Sequence, residues 1–390
     1  MTQKEKVYLD YAASTPVDPK VVKAMLLYFT EKFGNPSSLH SYAQETKEAL
    51  EQSREKMANF IGAQPKEIIF TSSATESNNL ALKGVAFYHQ KKGKHILVSS
   101  IEHDCVLNSA EWLKKQGFEI EKIPVDKYGT VNPEVARDMI REDTILVSVM
   151  HANNEIGTIE PISKIGKICQ EKGVLFHTDS AQTFGKIPVD VRKMNVDLLT
   201  ASSQKMYGPR GAAFLFIKKG TKIEPLIHGG GHESGIRSST ENVAAIVGFT
   251  KATELCLKEM KKESERQAKL RDKIIKEILK IPDTFLNGHP KNRLPNNVHF
   301  RFSFVEGEAV VMMLDYHGIA ASTASACSSP KLEPSHVLLA CGLKTQEAHG
   351  SLRISLGRWT SEKDVKYLLK VLPKVIEDLR KISPFKKNVY

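Results

Sequence analysis

The stretch GVLFHTDSAQTFGKIPVDVRKMNVDLLTASSQKMYGPRGAAFLFIK (173–218) decides the fold. It contains three short apolar runs, VLFHTD (174–179), DLLTASS (197–203) and AAFLFIK (212–218). Each is continuous rather than alternating, which is the pattern of strands buried on both faces of a mostly parallel sheet. Upstream, KHILVSS (94–100) and TILVSVMHANN (144–154) read as two more such strands, each followed by a helix. Near residue 251 the character changes. A charged helix, KATELCLKEMKKESERQAKLRDKIIKEILK, leads to the turn NGHPKNRLPNN. Then come the strand VHFRF, the helix EGEAVVMMLDYHG, a Ser/Ala-rich loop, the strand SLRISLG and a terminal helix. The pattern predicts an α/β chain with a large domain over 15–255. A smaller α+β domain is expected from 1–14 and 256–390, joined to the first by the long helix.

Composition agrees with a globular enzyme-sized chain. Its 390 residues suit two domains, and 41% apolar with 26% charged residues excludes collagen-like and disordered classes. No apolar run approaches the ~18 residues of a membrane span, and the N-terminal MTQKEKVYLDYAAS has no apolar signal-peptide core. Five cysteines without a CxxC pair point to a reducing cytoplasmic setting rather than a disulfide framework or a resident metal. The net charge of +11 comes from lysines scattered beside glutamates. That arrangement suits solvated helix faces or an acidic protein partner better than direct nucleic-acid binding.

Ligands in α/β sheets bind at the carboxyl ends of strands. Five polar clusters stand at such ends: TSSATESNNL (71–80), IEHDC (101–105), HANNEIG (151–157), TDSAQ (178–182) and ASSQKMYGPRG (201–211). Singly, each residue in them has an ordinary structural explanation. Together they form a chemical set. A lysine at a strand end is costly to bury unless covalently used, and an imine to an aldehyde cofactor uses it. Lys205 is that lysine. Pyridoxal 5'-phosphate also needs a carboxylate opposite its ring nitrogen, and Asp179 fits. Ala74 and Thr75, opening a helix, suit its phosphate, with Ser202 and Gln204 as further donors. His103 can stack on the ring, and Asn154 and Gln182 can bond its oxygen substituents.

At this point the chain resembles the cysteine desulfurases, pyridoxal-phosphate enzymes of the class V aminotransferase group with fold type I. The resemblance rests on YLDYAAS, FGNPSS, FTSSATESNNLALKG, ILVSVMHANNEIGTI, HTDSAQTFGKIPVD, SSQKMYGPRG, HGGGHESGIRSSTEN, STASACSS and SLRISLGRWT, in family order from about residue 7 to 383. It implies a seven-stranded sheet and gives Lys205, Asp179, His103, Ala74, Thr75, Asn154, Gln182 and Ser202 the roles just described. It also implies that Thr240 reaches the phosphate of a neighbouring subunit, hence a homodimer. Arg353 resembles the clamp for the substrate carboxylate, with Asn35 assisting. Cys327 resembles the nucleophile that takes sulfur from L-cysteine, leaving L-alanine and a persulfide; it is also the candidate for a transient cluster ligand. A small, polar loop suits a thiol that must travel, whereas Cys169, Cys256 and Cys341 lie in apolar helical patterns. Cys105, two residues from His103, is the competitor. The implied acceptor is an iron–sulfur scaffold protein. A selenocysteine lyase or cysteine-sulfinate desulfinase, and a non-catalytic sulfur-assembly scaffold, are the alternative readings.

Two positions depart from the family pattern. Gln204 stands where the family has histidine before the lysine, so that position can donate but not titrate. Ser239 stands where the family has glycine in Arg-Ser-Gly-Thr. A positive φ there would cost serine about 1 kcal/mol.

Overall fold

The computed structural model describes residues 6–323 and 334–384. The strands in chain order are β1 Val7–Tyr8, β2 Ile68–Thr71, β3 His95–Ser99, β4 Glu119–Ile123, β5 Thr144–Ser148 and β6 Leu175–Asp179. They continue with β7 Leu198–Ser202, β8 Ala213–Ile217, β9 Thr284–Asn287, β10 Asn297–Phe302, β11 Ile319–Ala320 and β12 Ser351–Ser355. Seven of them form one sheet in the order β2-β8-β7-β6-β5-β3-β4. β8 runs antiparallel to both its neighbours, and all other pairings in this sheet are parallel. The expected α/β fold with a mostly parallel seven-stranded sheet is what the chain adopts.

The continuous apolar runs are buried as expected, with every residue of β3, β5, β7 and β8 inside. One apolar cluster packs on each face of the sheet. On one face Phe184, Phe214 and Phe249 interlock, with the Phe214 and Phe249 rings stacked at 5.8 Å. Each such side chain contributes roughly 2–3 kcal/mol by leaving water. The strand β4, EIEKI, was not legible as a strand. It lies at the sheet edge and keeps its charged residues outward, which breaks the apolar run and also discourages edge-to-edge pairing.

A second core lies in the C-terminal part. It is built on the antiparallel sheet β12-β10-β9 and on the parallel pair β1-β11, so Val7 and Leu9 belong with the C-terminal residues. The joining helix, Val243–Ile278, starts earlier than the sequence suggested, capped by the Asn242 side chain on the N–H of Ala245. Its first half gives Ala245, Ile246, Phe249 and Cys256 to the large core, and its last turns give Leu270, Ile274 and Ile278 to the smaller one. Among the described residues no helix is long and apolar enough to cross a membrane.

Candidate active site

The parallel strands β7, β6, β5 and β3, with β2 running the same way, direct their carboxyl ends to one edge of the sheet. A single pocket opens there. Ala74, Thr75, His103, Asn154, Asp179, Gln182, Ser202, Gln204, Lys205 and Arg353 all line it. Ten of the thirteen residues expected to serve the site are therefore brought together. Asn35 and Thr240 are exposed and line no part of this pocket. Cys327 lies outside the described residues.

The lysine turn is held from the N-terminal segment. Residues 203–205 form one turn of 3-10 helix after β7. Thr15 bonds the Gln204 carbonyl through its N–H (3.1 Å) and its hydroxyl (3.0 Å), and its oxygen accepts the Tyr207 N–H at 2.7 Å. Gly208 closes the turn, because a Cβ there would overlap the Ser203 hydroxyl. Lys205 Nζ reaches back to the Ala13 carbonyl at 2.6 Å.

Asp179 ends β6 with its carboxylate fixed on both sides. Oδ1 accepts the Ala181 N–H at 2.8 Å, and Oδ2 accepts Asn78 Nδ2 at 2.7 Å. Asn78 is fully buried on the helix Ala74–His89. Its sequence signal was a polar residue followed by the apolar run LALKGVAF, which is weak alone. The same helix begins at the pocket. Ser73 caps it, its hydroxyl accepting the Glu76 N–H at 3.1 Å. The N–H groups of Ala74 and Thr75 occupy the first turn, where no intrahelical acceptor exists, and they face a site suited to an anion. Arg237 reaches the same helix end and pairs with Glu76 at 2.7 Å, holding that carboxyl below its usual range.

His103 caps the helix Asp104–Lys115, its Nδ1 accepting the Cys105 N–H at 3.2 Å. The neutral ring therefore carries its proton on Nε2. The Cys105 thiol lies 3.1 Å from that Nδ1, yet burial, reinforced by Asp179, pushes its pKa up to about 12. The sequence competitor for the nucleophile is thus held as a thiol.

Arg353, on β12, is the contribution of the smaller unit. It is 3% exposed. Nη2 donates to Asp10 Oδ1 at 2.8 Å and Nη1 to the Asn154 carbonyl at 3.2 Å, while Nε has no partner among the described residues. That Nε–H is buried as well, and a guanidinium lining the pocket pairs best with a carboxylate. Asp10 was not singled out from the sequence, although it sits in the quoted YLDYAAS. Glu102 and Glu155 were missed too. Glu102 is fully buried, and its pKa is raised to about 8 by that burial. Burial also raises Glu155, which accepts the Ser335 hydroxyl; His336, next along, donates Nε2–H to the Glu102 carbonyl at 3.0 Å. These bonds fasten the chain at 334–336 beside the pocket.

The departures from the family pattern have visible settings. Gln204 lines the pocket. Ser239 has φ 139°, in the region that favours glycine. Its loop is tied down by Glu233, which takes two 2.8 Å bonds from Arg54 and the Phe70 N–H at 2.7 Å.

Lys205, Asp179 and an anion-ready helix start line one pocket, and their chemistry fits pyridoxal phosphate. The aminotransferase class-V family model matches residues 7–368. Cysteine desulfurase IscS 1 of Archaeoglobus fulgidus is 56% identical over 377 residues, covering 97% of this chain and 98% of that one. A solved structure described as a NifS-like protein superposes with TM-score 0.91 at 38% identity, over 96% of this chain and all of its own. Another, described as SspA in complex with cysteine, gives TM-score 0.80 at 36% identity over 91% of this chain and all of its own. The match of fold and sequence over nearly its whole length makes this chain a member of the class-V aminotransferase family and, within it, of the cysteine desulfurases.

Proposed function

We propose that the chain takes sulfur from L-cysteine, releasing L-alanine and leaving a persulfide on Cys327 for iron–sulfur cluster assembly. The observation that carries this reading is the meeting of Lys205, Asp179 and Arg353 at one pocket. Lys205 would hold the cofactor aldehyde, Asp179 its ring nitrogen and His103 its face. Ala74, Thr75, Ser202 and Gln204 would hold its phosphate, and Asn154 and Gln182 its ring oxygens. When bound, pyridoxal phosphate supplies an electron sink for the bonds at the substrate Cα. Arg353 fixes the substrate carboxylate. The amine of Lys205 moves the proton at Cα, which a group 2.6 Å from a backbone carbonyl can do once that bond is exchanged. The thiol of Cys327 accepts the sulfur: the substrate C–S bond breaks, an S–S bond forms, and the substrate carbon gains the proton.

Elimination supports Cys327. Among the described cysteines, burial raises Cys105, Cys169 and Cys341 to about 12 and Cys256 to about 11. None of the four offers a thiolate at neutral pH. A homodimer is part of the proposal. Leu26, Phe29, Phe33, Leu39 and Tyr42 are all exposed, Leu39 at 96%, an apolar face that a second copy would cover. Thr240, which is exposed, would then serve the partner's pocket. The division into 15–255 against 1–14 with 256–390 is part of the same reading, supported by the separate core that Val7 and Leu9 share with Leu270, Ile274 and the C-terminal strands. A cytoplasmic setting and an acidic scaffold partner fit the reduced cysteines and the +11 charge.

Cys327→Ala tests the reading. With added pyridoxal phosphate it should keep the visible cofactor band and its response to L-cysteine while forming no alanine and no sulfide. Full turnover in that variant would reject the nucleophile, and a wild-type protein with no such band would reject the cofactor.

A further inference from the structure

Behind the pocket wall, Lys186 enters the site from a place the sequence did not single out. It follows β6 by seven residues, in the turn that carries Gln182. Its Nζ donates to Gln182 Oε1 at 3.2 Å. On the other side Gln182 Nε2 donates to the Ala12 carbonyl at 3.0 Å. The adjacent Ala13 carbonyl is the one that Lys205 Nζ bonds. A flipped Gln182 amide would set its NH2 against the Lys186 donor and its oxygen against the Ala12 carbonyl, so both neighbours enforce one orientation. The amide is thereby held with its NH2 end on the side of the Lys205 segment.

The setting of Lys186 is also unusual for a lysine. It makes no ion pair among the described residues. It lines a second, smaller cavity with Tyr11, Tyr207, Cys256, Glu263 and Arg358. Glu263 is engaged by Arg266 at 2.9 Å and Arg358 by Asp18 at 2.6 Å, so the nearby charges are already matched. On the pocket side the charged groups acting on it are Lys205 and Arg353, both cations. Burial first, then Lys205, pull its pKa down to about 7. Its backbone is tied independently, by the Ser264 hydroxyl on its carbonyl at 2.6 Å.

We propose that Lys186 is a positioning residue for the cofactor site: it fixes the donor orientation of Gln182 and, while protonated, lowers the proton affinity of the neighbouring Lys205 segment. The inference rests on the pyridoxal-phosphate reading given above. Its physical content is a sign. A cation near Lys205 disfavours a proton on the nitrogen joining that lysine to the cofactor. A Gln182 amide donating to the ring oxygen acts in the same direction, because it stabilises the form with charge on that oxygen.

The test adds pyridoxal phosphate to wild type, Lys186→Met and Lys186→Arg and titrates the visible band against pH. Methionine matches the length of the stem and removes the donor and the charge; it also leaves Gln182 Oε1 without that donor, so the thermal midpoint is measured alongside. The midpoint in Lys186→Met should rise by roughly half a pH unit to one pH unit, and Lys186→Arg, keeping cation and donor, should return it to the wild-type value or below. A midpoint unchanged in Lys186→Met, with only the thermal unfolding midpoint altered, would mean that the residue merely packs, and overturns the inference. A wild type without a borohydride-sensitive band overturns the cofactor reading and this inference with it.

Discussion

Asn78 Nδ2, on the helix that presents Ala74 and Thr75 to the pocket, donates to Asp179 Oδ2 at 2.7 Å. One buried amide therefore ties the carboxylate that ends β6 to the helix whose first turn opens at the pocket. Its own Oδ1 has no partner among the described residues. With Oδ1 accepting the Ala181 N–H, the two bonds together fix the plane of the Asp179 carboxylate.

Removing that amide should cost binding rather than folding. Asn78→Ala frees the Asp179 carboxylate to rotate, and the loss of a charge-assisted bond is worth about 1.5 kcal/mol. Pyridoxal phosphate should then bind roughly tenfold more weakly, measured by titrating the apo-protein and following the visible band. Unchanged affinity would show that Asp179 is held without Asn78.

Much of this site was legible because its residues are chemically odd for their places. Lys205 and Asp179 stood out as charges ending apolar runs, and β5, β6, β7 and β8 were visible as those runs. What stayed hidden was held by contacts distant in sequence. Asp10 meets Arg353 across 343 residues, and Asn78 meets Asp179 across 101. Neither pairing has a local signal, since periodicity reports which face is buried and not which side chain lies opposite. Lys186 was hidden for another reason. Beside Pro188 and Asp190 it looks like an ordinary solvated turn lysine, and only the fold reveals that its ammonium turns inward. The edge strands β4 and β9 lack a continuous apolar run because each is covered on fewer sides.

Ser239 carries a local cost that the family glycine would not. Its φ of 139° disfavours a side chain. Ser239→Gly should stabilise the loop by about 1 kcal/mol, offset in part by the greater freedom of glycine in the unfolded chain. The thermal midpoint should rise by roughly 1–2 °C, and calorimetry on the two proteins side by side decides it. A lowered midpoint would mean that the bond from the Ser239 N–H to His232 Nδ1, 3.4 Å long, depends on serine at that place.

Glu102 predicts a pH dependence of stability. Its Oε1 accepts the Ser99 hydroxyl and the Met150 N–H, both at 2.6 Å, and Oε2 is buried without a partner among the described residues. Burial raises its pKa from 4.5 to about 8, and Glu160 is raised to about 8 for the same reason. The folded chain thus keeps protons that the unfolded chain releases near 4.5. Stability from these groups is complete below that pH and drains as pH rises to about 8. His151 acts oppositely, since burial lowers it to about 4 and its contribution fades as pH falls from 6.5 towards that value. Glu102→Gln keeps the acceptor for Ser99 and Met150 and cannot ionise. Each pH step of one between the unfolded and folded values removes about 1.4 kcal/mol from the wild type. At about pH 8 or above the variant should therefore exceed wild type by roughly 4–5 kcal/mol, and near pH 4.5 it should match it. Urea unfolding at acid, neutral and alkaline pH measures both curves. Parallel curves for the two proteins would show that the Glu102 carboxyl ionises in the folded chain as it does in water.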